Sequence, residues 1–95
     1  MDQKQRKTAR GHRDQLLTLV NGWDPARLLQ AGAPRHEYGP LVDKLLDLLS
    51  RNASKEEVAG MLDREIREHF GKTAEGSAQF AVKAVTWYQT LASES

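Results

Sequence analysis

The sequence has no cysteine, and its 95 residues include only three prolines and two residues each of tryptophan, tyrosine and phenylalanine. Without cysteine there is no disulfide framework and no thiolate chemistry, and a zinc site would depend on histidine and carboxylate ligands alone. No apolar run reaches the roughly 18 residues of a membrane span, and the N-terminus lacks the apolar core of a signal peptide. We therefore expect a cytoplasmic protein without membrane association.

The motifs of common enzyme classes are also missing. The sequence contains no GxSxG nucleophile elbow and no GxxxxGK[ST] or GxGxxG phosphate-binding loop. Its histidines, His12, His36 and His69, form neither an HxxxH nor an HExxH pattern. We therefore expect no catalytic constellation, no metal site and no cofactor, and we expect that the protein is not an enzyme.

The charge balance bears on nucleic-acid binding. Net charge is +1, which is too near neutral for a dedicated nucleic-acid binder. Residues 1–9 form a polar, basic leader that we expect to be frayed or to extend the first helix without burying surface. No aromatic residue is interleaved there to stack on bases, so nucleic-acid binding is the less favoured interpretation. Residues 10–92 are predicted to form a single helical domain, and residues 93–95 a frayed tail.

Apolar residues recur at helical spacing along most of the chain. In the first such stretch Leu16, Val20 and Trp23 fall on one face, and we expect them in the core. The pattern predicts four main helices joined by short connections, at about 10–22, 40–51, 55–70 and 74–92. The predicted fold class is therefore all-α, a compact bundle of four main helices plus one short helix in the connection after the first.

Local signals mark several helix ends. Ser54 and Glu57 form a capping box, in which the serine hydroxyl accepts from the Glu57 amide and the Glu57 carboxylate reaches back to the Ser54 amide. Asn21-Gly22 is a credible stop for the first helix and Gly71 for the third, because Asn and Gly enter the left-handed conformation at low cost. Thr73 is the expected N-cap of the last helix.

The connection after the first helix contains every proline of the chain. Asp24 and Pro25 have the pattern of a helix start, with Asp24 as N-cap and Pro25 in the first helical position. This pattern predicts the short helix over residues 26–30.

Pro34 and Pro40 restrict the backbone on both sides of a tetrapeptide. It consists of Arg35, His36, Glu37 and Tyr38. An exposed tyrosine on such a loop is typical of protein interfaces, whereas a buried tyrosine needs a partner for its hydroxyl. We favour core or half-buried packing for Tyr38, with Glu37 holding the loop in place.

Several short segments carry a resemblance to a known family. They are Trp23-Asp24-Pro25, Leu28-Leu29, Gly32-Ala33-Pro34 and Glu37-Tyr38, followed by Glu57-Val58-Ala59 and His69-Phe70-Gly71. On these segments the chain resembles the YugE-like family of small bacterial proteins, over roughly residues 19–71. The resemblance implies a bacterial protein with a compact α-helical domain. It implies no activity, because the function of the family is not established.

Two functions fit these observations. We favour a non-enzymatic protein-interaction module, an adaptor or an immunity-like inhibitor, that binds another protein through the 33–40 loop and the adjoining helix faces. The alternative is a binder or hydrolase of a small ligand or metal, with Asp24, His36, Glu37 and Tyr38 around a pocket. A homodimer is a further alternative, because the predicted helix over 40–51 has a wide apolar face that the bundle could leave partly uncovered.

Overall fold

The computed structural model describes the backbone of residues 2–94 and the side chains of residues 11–91. This part of the chain is all-helical and contains no strand. Four helices follow in order: α1 (Asp2–Trp23), α2 (Gly39–Ser50), α3 (Lys55–Phe70) and α4 (Ser77–Glu94). The predicted all-α bundle of four main helices is confirmed. The predictions of a basic leader (1–9) and a frayed tail (93–95) concern residues whose side chains lie outside the described part. Both stay predictions.

The helices pack in chain order, α1 on α2, α2 on α3 and α3 on α4. Each turns one apolar face toward a shared core, because its buried residues recur three or four positions apart. The core consists chiefly of Leu16, Leu17, Val20, Leu41, Val42, Leu45, Leu49, Val58, Met61, Leu62, Ile66, Phe80, Ala81 and Ala84. The bundle is flat, with Cα extents of 42 × 29 × 17 Å. None of the described helices is both long enough and apolar enough to cross a membrane.

Residues close in sequence determine both ends of α3. Ser54 is the N-cap, with an extended backbone, and its Oγ accepts from the Glu57 N–H at 3.1 Å. The Glu57 carboxylate does not bond back to Ser54, so one half of the capping box is formed. Gly71 follows the helix in the left-handed conformation (φ 63°), and its N–H donates to the Arg67 carbonyl at 3.1 Å.

The end of α1 lies later than predicted. The helix continues through Asn21-Gly22 to Trp23. The left-handed residue that follows is Asp24, with φ 46°. Its N–H still donates to the Val20 carbonyl at 2.7 Å, so the helical hydrogen-bond ladder extends one residue past the helix. The predicted stop at Asn21-Gly22 is therefore wrong.

The start of α4 also differs from the prediction. The helix begins at Ser77, so Thr73 is not its N-cap. The indole N–H of Trp23 donates to the Glu75 carbonyl at 2.8 Å, which ties this segment to α1. Gly76 has φ 85°, a left-handed conformation that separates the tied segment from the helix. A contact with a distant helix thus overrides the local capping signal.

The short helix predicted over residues 26–30 is not formed, and the chain passes from α1 to α2 through a succession of turns. In a helix the amides of Leu29 and Gln30 would donate to backbone carbonyls four residues earlier. Here both donate to the Asp24 carboxylate instead, each at 3.2 Å. Arg27 has φ 56°, which interrupts the right-handed conformation in the middle of the predicted segment.

Candidate interaction site

The carboxylate of Asp24 organises the connection between α1 and α2. Its Oδ1 accepts from the Leu29 N–H at 3.2 Å and from the Tyr38 hydroxyl at 2.6 Å, and its Oδ2 accepts from the Gln30 N–H at 3.2 Å. Charged acceptors of this kind make stronger hydrogen bonds than neutral ones. One side chain at the end of α1 therefore fixes both the middle and the far end of the connection.

Tyr38 brings the far end of the connection into the core. The residue is fully buried, and its hydroxyl accepts from the Ala26 N–H at 3.0 Å while it donates to Asp24. Its ring lies edge-on to Phe70 in the last turn of α3, with centroids 5.6 Å apart and an interplanar angle of 70°. The hydroxyl thus has both a donor and an acceptor, as a buried tyrosine requires.

The contact shifts the pKa values of both groups. Burial raises the pKa of Tyr38 to about 12, and the hydrogen bond to the Asp24 carboxylate adds to this shift because it favours the neutral phenol. For Asp24, burial acts to raise the pKa, but hydrogen bonds from the Tyr38 hydroxyl and from backbone amides outweigh it and hold the pKa below its usual range. At neutral pH a neutral phenol therefore donates to an ionised carboxylate.

The three residues before Tyr38 lie on the surface. Arg35, His36 and Glu37 are all exposed. The backbone beneath them is tied to α1, because the Asn21 Nδ2 donates to the Arg35 carbonyl at 2.9 Å. The Arg35 guanidinium also donates to the Thr18 Oγ1 at 3.4 Å. This tripeptide, residues 35–37, is therefore presented from an ordered backbone lying along the C-terminal half of α1.

The three prolines of the connection contribute differently. Pro25 follows Asp24 in a turn and starts no helix. The Pro34 carbonyl accepts from the Glu37 N–H at 3.1 Å, which closes the turn that presents the tripeptide. Pro40 lies in the first turn of α2, where no amide N–H is needed.

The four residues considered for a ligand pocket do not converge. Asp24 and Tyr38 are in contact, whereas His36 and Glu37 have exposed side chains that form no hydrogen bond or ion pair with the described residues. The carboxylate that holds the loop is that of Asp24, so the expectation for Glu37 is wrong. In the part of the chain that the structure describes, no group of three or more His, Cys, Asp or Glu side chains could hold a metal ion.

A second polar cluster lies between α2 and α3. Lys44 Nζ contacts the Glu65 Oε1 at 2.6 Å, and His69 Nε2 contacts the Glu65 Oε2 at 2.8 Å. The Glu65 side chain is only 14% exposed, so the cluster joins α2 to α3 at the edge of the core. Its contacts are those of a structural ion pair between neighbouring helices.

A groove that the sequence did not reveal opens beside the tripeptide, between α1 and the start of α4. It has a volume of about 550 Å³, and its apolar lining comes from Leu19, Trp23 and Phe80. The rings of Trp23 and Phe80 stack, with centroids 4.6 Å apart and an interplanar angle of 14°. Trp23, predicted to be core, is half-buried and forms part of this surface. We call it the aromatic groove; its polar rim is formed by Thr18, Glu75, Gln79 and Lys83.

The only signal of the groove in the sequence is the Leu19/Trp23 pair, which lies four positions apart on one face of α1. Phe80 belongs to another helix, and no local pattern brings it to Trp23.

Comparison of the chain with protein-family models, with curated proteins and with solved structures gives no significant match. The resemblance to the YugE-like family therefore stays a prediction. Function has to be inferred from the geometry of the connection and of the surfaces around it.

Proposed function

We propose that this protein is a non-enzymatic interaction module, an adaptor or an immunity-like inhibitor in a bacterial cytoplasm. It binds another protein through the exposed part of the 33–40 loop and the adjoining face of α1. The observation that supports this most directly is the arrangement of the loop. Tyr38 is locked in the core by Asp24, and the three polar residues before it are exposed on a backbone bonded to α1.

Such an arrangement lowers the cost of binding. A loop whose backbone is already ordered loses less conformational entropy when a partner binds. Arg35 supplies a planar, permanently charged group, and arginine is among the residues that most often dominate binding energy at interfaces. Arg35 and Glu37 together present charges of both signs, which favours a partner with complementary charges over a nonspecific polyanion.

The small-ligand alternative has less support from the geometry. It requires Asp24, His36, Glu37 and Tyr38 to surround one pocket, and only two of them meet. Asp24 already accepts hydrogen bonds from two amides and a hydroxyl, so its carboxylate is occupied by the fold. The same hydrogen bonds account for the lowered pKa of Asp24 without a bound substrate.

We also propose that the chain belongs to the YugE-like family. Two of the segments that carry the resemblance, Trp23-Asp24-Pro25 and Glu37-Tyr38, contribute the two partners of a single part-buried hydrogen bond. This contact gives a physical reason for the two segments to occur together in one chain. A family member of known structure in which the corresponding tyrosine and aspartate are far apart would contradict the assignment.

A charge-swapped variant tests the interaction function. Arg35→Glu combined with Glu37→Arg keeps the net charge and leaves Tyr38 in place. The matched control is Arg64→Glu combined with Glu68→Arg, which makes the same swap on the exposed face of α3. Each tagged protein, together with the wild type, is used as bait in a lysate of the native host cell, and captured proteins are quantified by mass spectrometry.

We expect a partner that is retained by the wild type and the control and lost by the loop variant. Equal retention on all three baits would place the contact elsewhere. Absence of a partner on every bait would refute the proposal unless light scattering shows that the free protein is a dimer. In that case the partner is a second copy, and the loop variant should be monomeric.

A further inference from the structure

Asn21 has features that the stability of its own helix does not explain. It lies inside α1, where asparagine is a poorer helix former than alanine. Its Oδ1 is buried and has no hydrogen-bond partner among the described residues, which is unfavourable as well. The hydrogen bond that its side chain does form runs from Nδ2 to the Arg35 carbonyl, at 2.9 Å, and so leads out of the helix to the exposed loop. Asn21 therefore weakens α1 and contributes to the position of the loop.

The bond from Asn21 holds the near end of the tripeptide 35–37. The reverse orientation of the side-chain amide would place its Oδ1 against the Arg35 carbonyl oxygen, so that two acceptors would face each other. The far end of the tripeptide is held by Tyr38, whose hydroxyl donates to Asp24 at 2.6 Å. Tyr38 is fully buried and also serves the core, whereas Arg35 is exposed. Loss of the Asn21 bond should therefore release the near end without opening the core.

We propose that Asn21 is a positioning residue for recognition. Its side-chain amide holds the backbone of the tripeptide 35–37 in the conformation that a partner protein binds, and α1 is less stable for it. This inference rests on the proposed interaction function and adds the residue that controls its surface. If part of the population leaves the ordered conformation, the affinity for a partner falls with the fraction that remains competent. The net contribution of one hydrogen bond corresponds to about a five-fold change in such an equilibrium.

NMR relaxation of the free protein measures the order of the tripeptide without a partner. In the wild type the backbone order parameters of residues 35–37 should be roughly 0.85, as in rigid backbone, and Asn21→Ala should lower them toward the roughly 0.6 of flexible backbone. The midpoint of urea unfolding should equal that of the wild type or rise, because alanine favours the helix and no buried oxygen is left unpaired. A residue that served only the fold would lower the midpoint instead.

Thr18→Ala is the matched control. Thr18 lies three residues before Asn21 on the same side of α1, and its Oγ1 accepts from the Arg35 guanidinium at 3.4 Å, so it contacts the side chain of Arg35 and not its carbonyl. Alanine improves the helix propensity there too. We expect Thr18→Ala to leave the order parameters of residues 35–37 unchanged. Asn21→Asp keeps the shape of the side chain but cannot donate, so it should loosen the tripeptide as Asn21→Ala does.

The lysate experiment measures the consequence for recognition. Asn21→Ala should capture less of the partner than the wild type, by up to about five-fold. Three results on the free protein would each overturn the inference: unchanged order parameters in Asn21→Ala, an equal loss of order in Thr18→Ala, or a lower unfolding midpoint of Asn21→Ala. A partner that is lost by the Arg35/Glu37 swap but captured equally by Asn21→Ala would overturn it too, and would leave the interaction function intact. Because the NMR result needs no partner, it distinguishes a failure of this inference from a failure of the proposed function.

Discussion

Replacing Tyr38 with phenylalanine removes one oxygen atom from the core and leaves the ring in place. The hydroxyl donates to the Asp24 carboxylate at 2.6 Å and accepts from the Ala26 N–H at 3.0 Å. A hydrogen bond to a charged acceptor contributes about 1.5–3 kcal/mol, and a buried N–H left without a partner costs about 1–3 kcal/mol. These effects overlap, so we expect Tyr38→Phe to lower the free energy of unfolding by about 2–4 kcal/mol.

Urea unfolding followed by circular dichroism measures this loss. A domain of 95 residues has a total stability of roughly 5–14 kcal/mol, so the expected change is a large fraction of it. The dependence of the free energy on urea should stay the same, because the same surface is exposed on unfolding. A loss below about 1 kcal/mol would refute the view that this hydroxyl anchors the connection.

Tyr88→Phe is the matched control, since the Tyr88 hydroxyl forms no hydrogen bond with the described residues. We expect it to change the free energy of unfolding by less than about 0.5 kcal/mol. Asp24→Asn and the double variant with Tyr38→Phe complete a mutant cycle. Because the two side chains share one contact, the double variant should lose less stability than the sum of the single variants, by at least about 1 kcal/mol. Simple additivity would show that they act independently.

The pKa of Tyr38 is raised to about 12, so the stabilisation from its neutral hydroxyl is fully present below the unfolded pKa near 10. Above that pH the free energy of unfolding should fall by about 1.4 kcal/mol per pH unit until the pH approaches 12. Urea titrations should therefore show a larger decrease in this free energy between pH 9 and pH 11 for wild type than for Tyr38→Phe. The pKa of Asp24 is lowered, so the stabilisation from its ionised carboxylate is present above the unfolded pKa near 4 and is lost at lower pH. Below that pH, the difference in free energy of unfolding between wild type and Asp24→Asn should shrink. A constant difference would contradict the stabilising role of the ionised carboxylate. Ser54→Ala should cost about 1 kcal/mol because the Glu57 amide loses its cap, and Ser54→Gly should cost only a few tenths, as thermal unfolding can measure.

The parts of the fold that the sequence predicted are those that depend on neighbouring residues. Helical spacing of apolar residues gives the four helices, because each buries one face whatever the partner is. Ser54 and Gly71 mark the ends of α3 through hydrogen bonds that span three or four residues. Such signals can be read before the fold is known.

The connection could not be predicted in the same way, because its determining contacts are distant in sequence. Asp24 has the local pattern of an N-cap, yet its carboxylate binds Tyr38 fourteen residues later. Thr73 has the same local pattern, yet the segment after it is held by Trp23 from α1, 52 residues earlier. In both places a side chain that fits a local motif is outweighed by a hydrogen bond between residues that are distant in sequence.

Within the tetrapeptide 35–38, one residue serves stability and the other three are available for recognition. Tyr38 is buried and bonded, whereas the side chains of Arg35, His36 and Glu37 are exposed and contribute little to the core. A variant at Tyr38 that loses a partner therefore says nothing about the interface, because the loop itself is released. A variant at Arg35 or Glu37 that keeps the unfolding free energy and loses the partner does identify the interface. Stability has to be measured on each variant before its binding is interpreted, and only the exposed residues can then report on recognition.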